Sequence, residues 1–219
     1  MSIPTNIQTV KASIPSEVTL VAVSKTKTVP EIMQAYDAGH RVFGENKIQE
    51  MVAKWEEMPK DIQWHMIGHV QRNKVKYMAP FVNLIHAVDS FRLLNEINKQ
   101  ARKHDRIIDC LLQLKIADEE SKFGMSEVEA TALLDSEEIK TLENVKIKGL
   151  MGMATFTDNV NQLKKEFGYL REVFEKLKTQ HPDLQILSMG MSGDYALAIE
   201  HGSTMVRVGS AIFGARNYF

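Results

Sequence analysis

The sequence predicts an α/β protein, a single (β/α)8 TIM barrel spanning residues 1–219. Two observations predict it. Short apolar runs rich in Val, Ile and Leu alternate with longer segments of helical period, the pattern of consecutive βα units around a parallel sheet. Eight such runs occur, enough to close a barrel, and 219 residues is a comfortable length for one barrel domain.

Taken in order, the runs predict strands at Thr19–Val23, Arg41–Phe43, Ile62–Ile67, Val82–His86, Ile107–Leu114, Val145–Met151, Gln185–Ser188 and Met205–Val208. Helical period appears between them at Val29–Ala38, Lys47–Glu57, Asn73–Met78, Phe91–Lys103, Ser126–Leu134, Asn161–Gln180 and Asp194–Glu200, with polar caps marking the starts. Every strand except the last is therefore expected to have a following helix. All six prolines fall at the proposed boundaries, where a missing N–H costs least.

Hydrophobic residues make up 44% and charged residues 25% of the chain, so a barrel-sized core can be buried without metals or disulfides. A net charge of -1 gives no general drive toward nucleic acid or anionic membrane, and any anion site must be local. The single cysteine, Cys110, cannot form an internal disulfide and reads as a small hydrophobe buried in a strand; a reducing compartment fits. The amino terminus has no apolar h-region, and no run approaches the roughly 20 apolar residues of a membrane span. A soluble, cytoplasmic monomer is expected.

In such a barrel the chemistry collects where strands end and loops begin. The residues there are Lys25, then Glu45 and Asn46, His65 and Gly68, Asp89, Lys115, Thr155, Ser192, and finally Arg207, Gly209 and Ser210. Lys25 closes the run Thr-Leu-Val-Ala-Val-Ser-Lys and is either solvated at a strand end or directed into the barrel mouth. In the mouth, desolvation and a neighbouring cation would lower its pKa and make the neutral amine available for Schiff-base condensation. Phosphate commonly binds at the loops after strands seven and eight, and Ser192, Gly193, Gly209 and Ser210 suit that role, with ordinary turn chemistry the competing explanation of each glycine. Asn46 either caps the following helix, contacts a ligand, or does both.

His65 and His69 have an i, i+4 spacing, but Gly68 and the preceding strand argue against a helix there and no acidic third ligand lies nearby in sequence, so no metal site is expected. Arg72, Lys74 and Lys76 read as a solvated basic face, and the twelve methionines as core filler and loop lining.

Several motifs stand in register: Ala-Val-Ser-Lys-Thr-Lys (22–27), Phe-Gly-Glu-Asn (43–46), Trp-His-Met-Ile-Gly (64–68), Glu-Glu-Ser-Lys-Phe-Gly (119–124) and the closing segment from Ser188 to Arg216. With them the chain, from Val18 onward, resembles the YggS/PROSC family of pyridoxal 5'-phosphate (PLP) homeostasis proteins. The resemblance implies a fold similar to the alanine racemase N-terminal domain and PLP held as a Schiff base on Lys25. It also implies Arg207 facing the pyridine nitrogen, Ser192, Gly209 and Ser210 on the phosphate, and Asn46 near the cofactor. One departure is the segment before the first strand, which is short where family members usually begin with a longer helix covering the barrel.

An arginine opposite the pyridine nitrogen cannot surrender a proton to it, which leaves the ring a poorer electron sink and discourages carbanion chemistry. Alanine racemases also carry a second, all-β domain that contributes a catalytic tyrosine. Here Tyr36, Tyr77, Tyr169, Tyr195 and Tyr218 fall on predicted helices or at the terminus, and the chain ends at Phe219, so two-base racemization is not expected and the mouth should be open. The expected function is a PLP-binding protein of vitamin B6 and amino acid homeostasis, with no catalytic residue, which releases PLP to solvent or to PLP-accepting enzymes. The alternative is a weak PLP-dependent amino acid racemase, and a third class is a PLP-free aldolase using Lys25 on a sugar phosphate.

Overall fold

Strands β1 (Thr19–Val23), β2 (Val42–Glu45), β3 (Gln63–Met66), β4 (Leu84–Val88), β5 (Ile108–Leu114), β6 (Val145–Gly152), β7 (Ile186–Met191) and β8 (Met205–Val208) pair in chain order, all parallel, and β8 bonds back to β1 to close a barrel. This computed structural model describes residues 2–117 and 123–215; Arg216, Tyr218 and the 119–122 part of the fourth motif lie outside the described residues. Side chains alternate across the wall. Val21 of β1 joins Leu84, Ala87, Leu111, Met151 and Met205 in a small inner core, whereas Leu20 and Ala22 face the larger layer between wall and helices.

The helices are α1 (Ile3–Ala12), α2 (Val29–Asp37), α3 (Ile48–Glu57), α4 (Val75–Met78), α5 (Phe91–Arg102), α6 (Glu127–Asp135), α7 (Glu137–Lys140), α8 (Val160–Gln180), α9 (Tyr195–Glu200) and α10 (Ser210–Phe213). Local chemistry sets their starts. Thr28 with Glu31, and Ser126 with Glu129, form capping boxes that satisfy otherwise orphaned amides of α2 and α6. In α8, Leu163, Phe167, Leu170, Phe174 and Leu177 recur every three or four residues and bury one stripe against the wall. None of the described helices is long and apolar enough to cross a membrane.

Three helices depart from the expected pattern; one, the single turn α7 just after α6, has no predicted counterpart. In α1, capped by Ser2 and carrying Pro4 in its first turn, only Ile7 and Val10 are fully buried, a stripe too sparse to stand out as helical period. The last strand does have a helix after it, the single turn α10, and Asn6 Nδ2 of α1 donates to Ile212 O of α10 at 3.0 Å. The strand ends also shift: β2, β4 and β7 run on to Glu45, Val88 and Met191. In β6 the register jumps between Cys110↔Ile147 and Leu111↔Gly149, leaving Lys148 as the extra residue of a bulge. A Cβ on Gly149 would stand 1.7 Å from Ile186 O, so only glycine lets β6 approach β7 at this point.

Candidate functional site

The carboxyl ends of β1, β2, β6, β7 and β8 surround a cavity of about 880 Å³, lined among others by Lys25, Asn46, Ser192, Arg207, Gly209 and Ser210. Strand alternation explains how the first two arrive there. Past inward Val21, Val23 lines the cavity, Ser24 turns outward with its Oγ 2.6 Å from Glu45 Oε1, and Lys25 re-enters half-buried. In β2, Phe43 and Glu45 lie on the outer side, which brings Asn46 to the cavity. Asn46 does not cap the following helix: the N-cap of α3 is Lys47, and no side chain caps it. Gly68 permits a close approach to this residue, since a Cβ there would meet Asn46 O at 2.4 Å.

Two adjoining loops form the rim next to Lys25. Ser192 Oγ, past β7, accepts the N–H of Gly209, past β8, at 3.0 Å. A Cβ on Gly209 would touch Val23 Cβ and O at 3.2 Å, because β8 lies directly beside β1. The first donor inside α10 is Ile212, bonding Gly209 O, which places the Ser210 and Ala211 amides among the unpaired first-turn donors of a helix start. Gly193 lines the cavity in open space, and nothing steric there requires glycine. The Thr155 rim is fastened from behind: Glu166, buried on α8, accepts from Thr155 N and Oγ1, both at 2.7 Å.

Arg207 enters from β8 and is only 4% exposed. It donates through Nη1 to Ser188 Oγ (2.7 Å) and through Nη2 to Gly152 O (3.0 Å). Burial lowers its pKa to about 10, with Asp194 acting weakly the other way, and it stays protonated at neutral pH. Ser188 Oγ also lies 3.1 Å from His86 Nδ1, and His86 Nε2 lies 3.0 Å from His65 Nδ1, so a buried polar chain runs through the barrel interior. Burial keeps both imidazoles neutral, lowering His65 to about 3 and His86 well below its usual value.

Other residues at the expected strand ends go elsewhere. Glu45 is fully buried outside the wall, His65 joins the interior chain, Lys115 is exposed, and Asp89 sits 3.5 Å from His69. No cluster of three or more metal-ligating side chains occurs among the described residues. Arg72 and Lys76 are exposed and Lys74 half-buried, on the 3-10 turn Arg72–Lys74 and on α4, away from the cavity. Cys110 is buried in β5, and burial pushes its thiol pKa well up. Sequence reasoning missed His86 and Ser188 as members of the site network, and Phe156, Met153 and Asp158 as cavity lining. The pairing of His86 with Ser188 spans 102 residues and leaves no local signal. Together the cavity offers the amines of Lys25 and Lys27, a buried guanidinium, the hydroxyl-bearing residues Thr155, Thr157, Ser192 and Ser210, and first-turn amides, a donor set for a ligand with an electrophilic carbonyl and an anionic group.

Comparison with known proteins agrees with this chemistry. Residues 2–217 match the family model described as alanine racemase, N-terminal domain. A pyridoxal phosphate homeostasis protein of Pasteurella multocida is 41% identical over 209 residues, covering 93% of this chain and 88% of that one. PipY of Synechococcus elongatus, solved with PLP bound, superposes with a TM-score of 0.89 at 33% identity, covering 97% of this chain and 100% of PipY. An alanine racemase of Clostridium difficile shares the fold at 13% identity, with a TM-score of 0.81 over 98% of this chain and 57% of that one.

Proposed function

Because the chain belongs to the family of the alanine racemase N-terminal domain and of the pyridoxal phosphate homeostasis proteins, we propose that it binds PLP and serves vitamin B6 and amino acid homeostasis without turning over a substrate. The observation that carries the reading is that a lysine amine and a buried guanidinium enter one cavity whose rim past β7 and β8 carries hydroxyls and first-turn amides. The donor set fits the cofactor. When bound, PLP would supply an aldehyde, a group reactive toward a primary amine.

Lys25 would present its amine to the cofactor's aldehyde. Ser192, Gly209 and Ser210 would hold the phosphate, with Asn46 beside the cofactor. Arg207, protonated at neutral pH, would donate toward the ring nitrogen and give it no proton. No tyrosine lines the cavity among the described residues, and Tyr195 instead bonds Ser13 Oγ at 3.0 Å. One barrel domain, open at this mouth, holds PLP and passes it to solvent or to PLP-accepting enzymes. The buried thiol of Cys110 suits a reducing, cytoplasmic setting.

The test is borohydride reduction after incubation with PLP, followed by peptide mass analysis. A pyridoxyl adduct on Lys25, absent from Lys25→Ala, is expected; an unmodified Lys25 overturns the assignment. No hydrogen isotope exchange is expected at Cα across a panel of amino acids, and sustained exchange would make the protein a racemase.

A further inference from the structure

We propose that the buried cluster Glu45, Glu50 and Lys54, on the outer side of the barrel wall, is the device that positions Lys25; this rests on the reading of Lys25 as the condensing amine. Lys54 Nζ has three N–H donors and three acceptors: Ser24 O at 2.8 Å, Glu45 Oε1 at 2.7 Å and Glu50 Oε1 at 2.7 Å. Glu50 Oε1 in turn accepts the N–H of Thr26 at 2.5 Å. The Ser24 carbonyl and the Thr26 amide belong to the two peptide groups that flank Lys25. One cluster therefore grips the backbone on both sides of the lysine, from the face opposite to the one its side chain enters.

The cluster makes little sense as a stabiliser. Lys54 is 6% and Glu45 0% exposed, so both charges lose their water, and a buried ion pair of this kind commonly adds nothing over a well-packed apolar pair. Glu45 Oε2 has no hydrogen-bond partner at all. Thr26 is held at φ +64°, a left-handed conformation that a β-branched residue avoids unless its surroundings enforce it. What the arrangement does supply is direction: a long, flexible side chain reaches a fixed carbonyl only if its Cα–Cβ bond is aimed, and a misplacement of about 1 Å costs up to a hundredfold in rate.

Glu50 is the member to vary, because its side chain is 25% exposed and its loss leaves the fully buried Glu45–Lys54 pair in place. Glu50→Ala removes the acceptor of Thr26 N–H, whereas Glu50→Gln keeps an oxygen there. Three quantities are read for each full-length protein: the rate of borohydride-trappable PLP capture at Lys25, the affinity for pyridoxine 5'-phosphate, which has the phosphate but no aldehyde, and the melting temperature. Capture slowed about ten- to a hundredfold in Glu50→Ala, restored to within about threefold in Glu50→Gln, with unchanged pyridoxine 5'-phosphate affinity, is the expected result. Capture at the wild-type rate in Glu50→Ala overturns the proposal, as does a parallel loss of pyridoxine 5'-phosphate binding, which would mean a generally disordered cavity. Wild-type protein that captures PLP at another residue, or nowhere, defeats the Lys25 reading itself.

Discussion

Ser192 Oγ accepts the backbone N–H of Gly209 at 3.0 Å, joining the loops past the seventh and eighth strands. A hydroxyl that accepts from an amide keeps its own proton for another acceptor, and Ser192 lines the cavity.

Ser192→Ala should therefore weaken PLP by roughly tenfold or more, because a hydrogen bond to a charged group contributes about 1.5–3 kcal/mol. Pyridoxal, which lacks the phosphate, should lose little. Titrating both ligands by fluorescence checks this, and an equal loss for the two would remove Ser192 from the phosphate.

Arg207→Met separates binding from stability. A guanidinium at about 10 rather than 12.5 is disfavoured in its charged form by about 3 kcal/mol, a cost that the substitution relieves. Against it stand two stranded acceptors, Ser188 Oγ and Gly152 O, at about 1–3 kcal/mol each. The terms offset one another, so urea unfolding of the ligand-free variant should shift by no more than about 3 kcal/mol, while PLP affinity falls and the absorption spectrum of the bound cofactor changes. A bound spectrum and affinity identical to wild type would show that the guanidinium does not meet the ring.

Stability should fall with acid well before carboxylates titrate. Burial lowers His40 to about 4, His65 to about 3 and His86 well below its usual value, while unfolded histidines titrate near 6.5. The unfolded chain thus binds more protons below about pH 6.5, and stability present above that pH is lost toward the folded values, by at most roughly 4 kcal/mol per pH unit for three histidines. Glu45, raised by burial, acts in the opposite sense above the ordinary glutamate value. Melting temperature measured from pH 7.5 to pH 5 should drop steadily, and a flat profile would mean that these imidazoles are solvated.

Gly149→Ala should cost more than about 3 kcal/mol, because the added Cβ meets backbone, Ile186 O at 1.7 Å, and not a side chain able to rotate away. Gly193→Ala, in open space, serves as the control. Equal melting temperatures for the two would refute the bulge geometry.

The barrel is legible in the sequence because its signal is periodic. β1 and β8 match their predicted ranges to the residue, since apolar side chains occupy both faces of a wall buried on both sides. β2 is read short because Gly44 and Glu45 look like a turn and a solvated charge, and it takes Lys54, brought beside Glu45 by α3, and the Ser24 hydroxyl to make burial of that carboxylate tolerable. Helix α1 is missed for its thin apolar stripe, and α7 and α10 because one turn has no period. The rim residues are legible by counting two residues at a time out of each strand, which carries Lys25 and Asn46 inward. The same count does not expose Ser188, His86 or the clamp behind Lys25, whose members meet only once the wall has closed.

The chain from Arg207 to His65 also couples the mouth to the interior. When Ser188, accepting from Arg207, donates its own proton to His86 Nδ1, the Nε2 proton of neutral His86 points to His65 Nδ1. The tautomer of an imidazole three bonds into the protein is thereby linked to the mouth. Ring-nitrogen resonances of these two histidines would serve as an internal indicator, changing whenever an occupant of the mouth pulls the arginine from its serine.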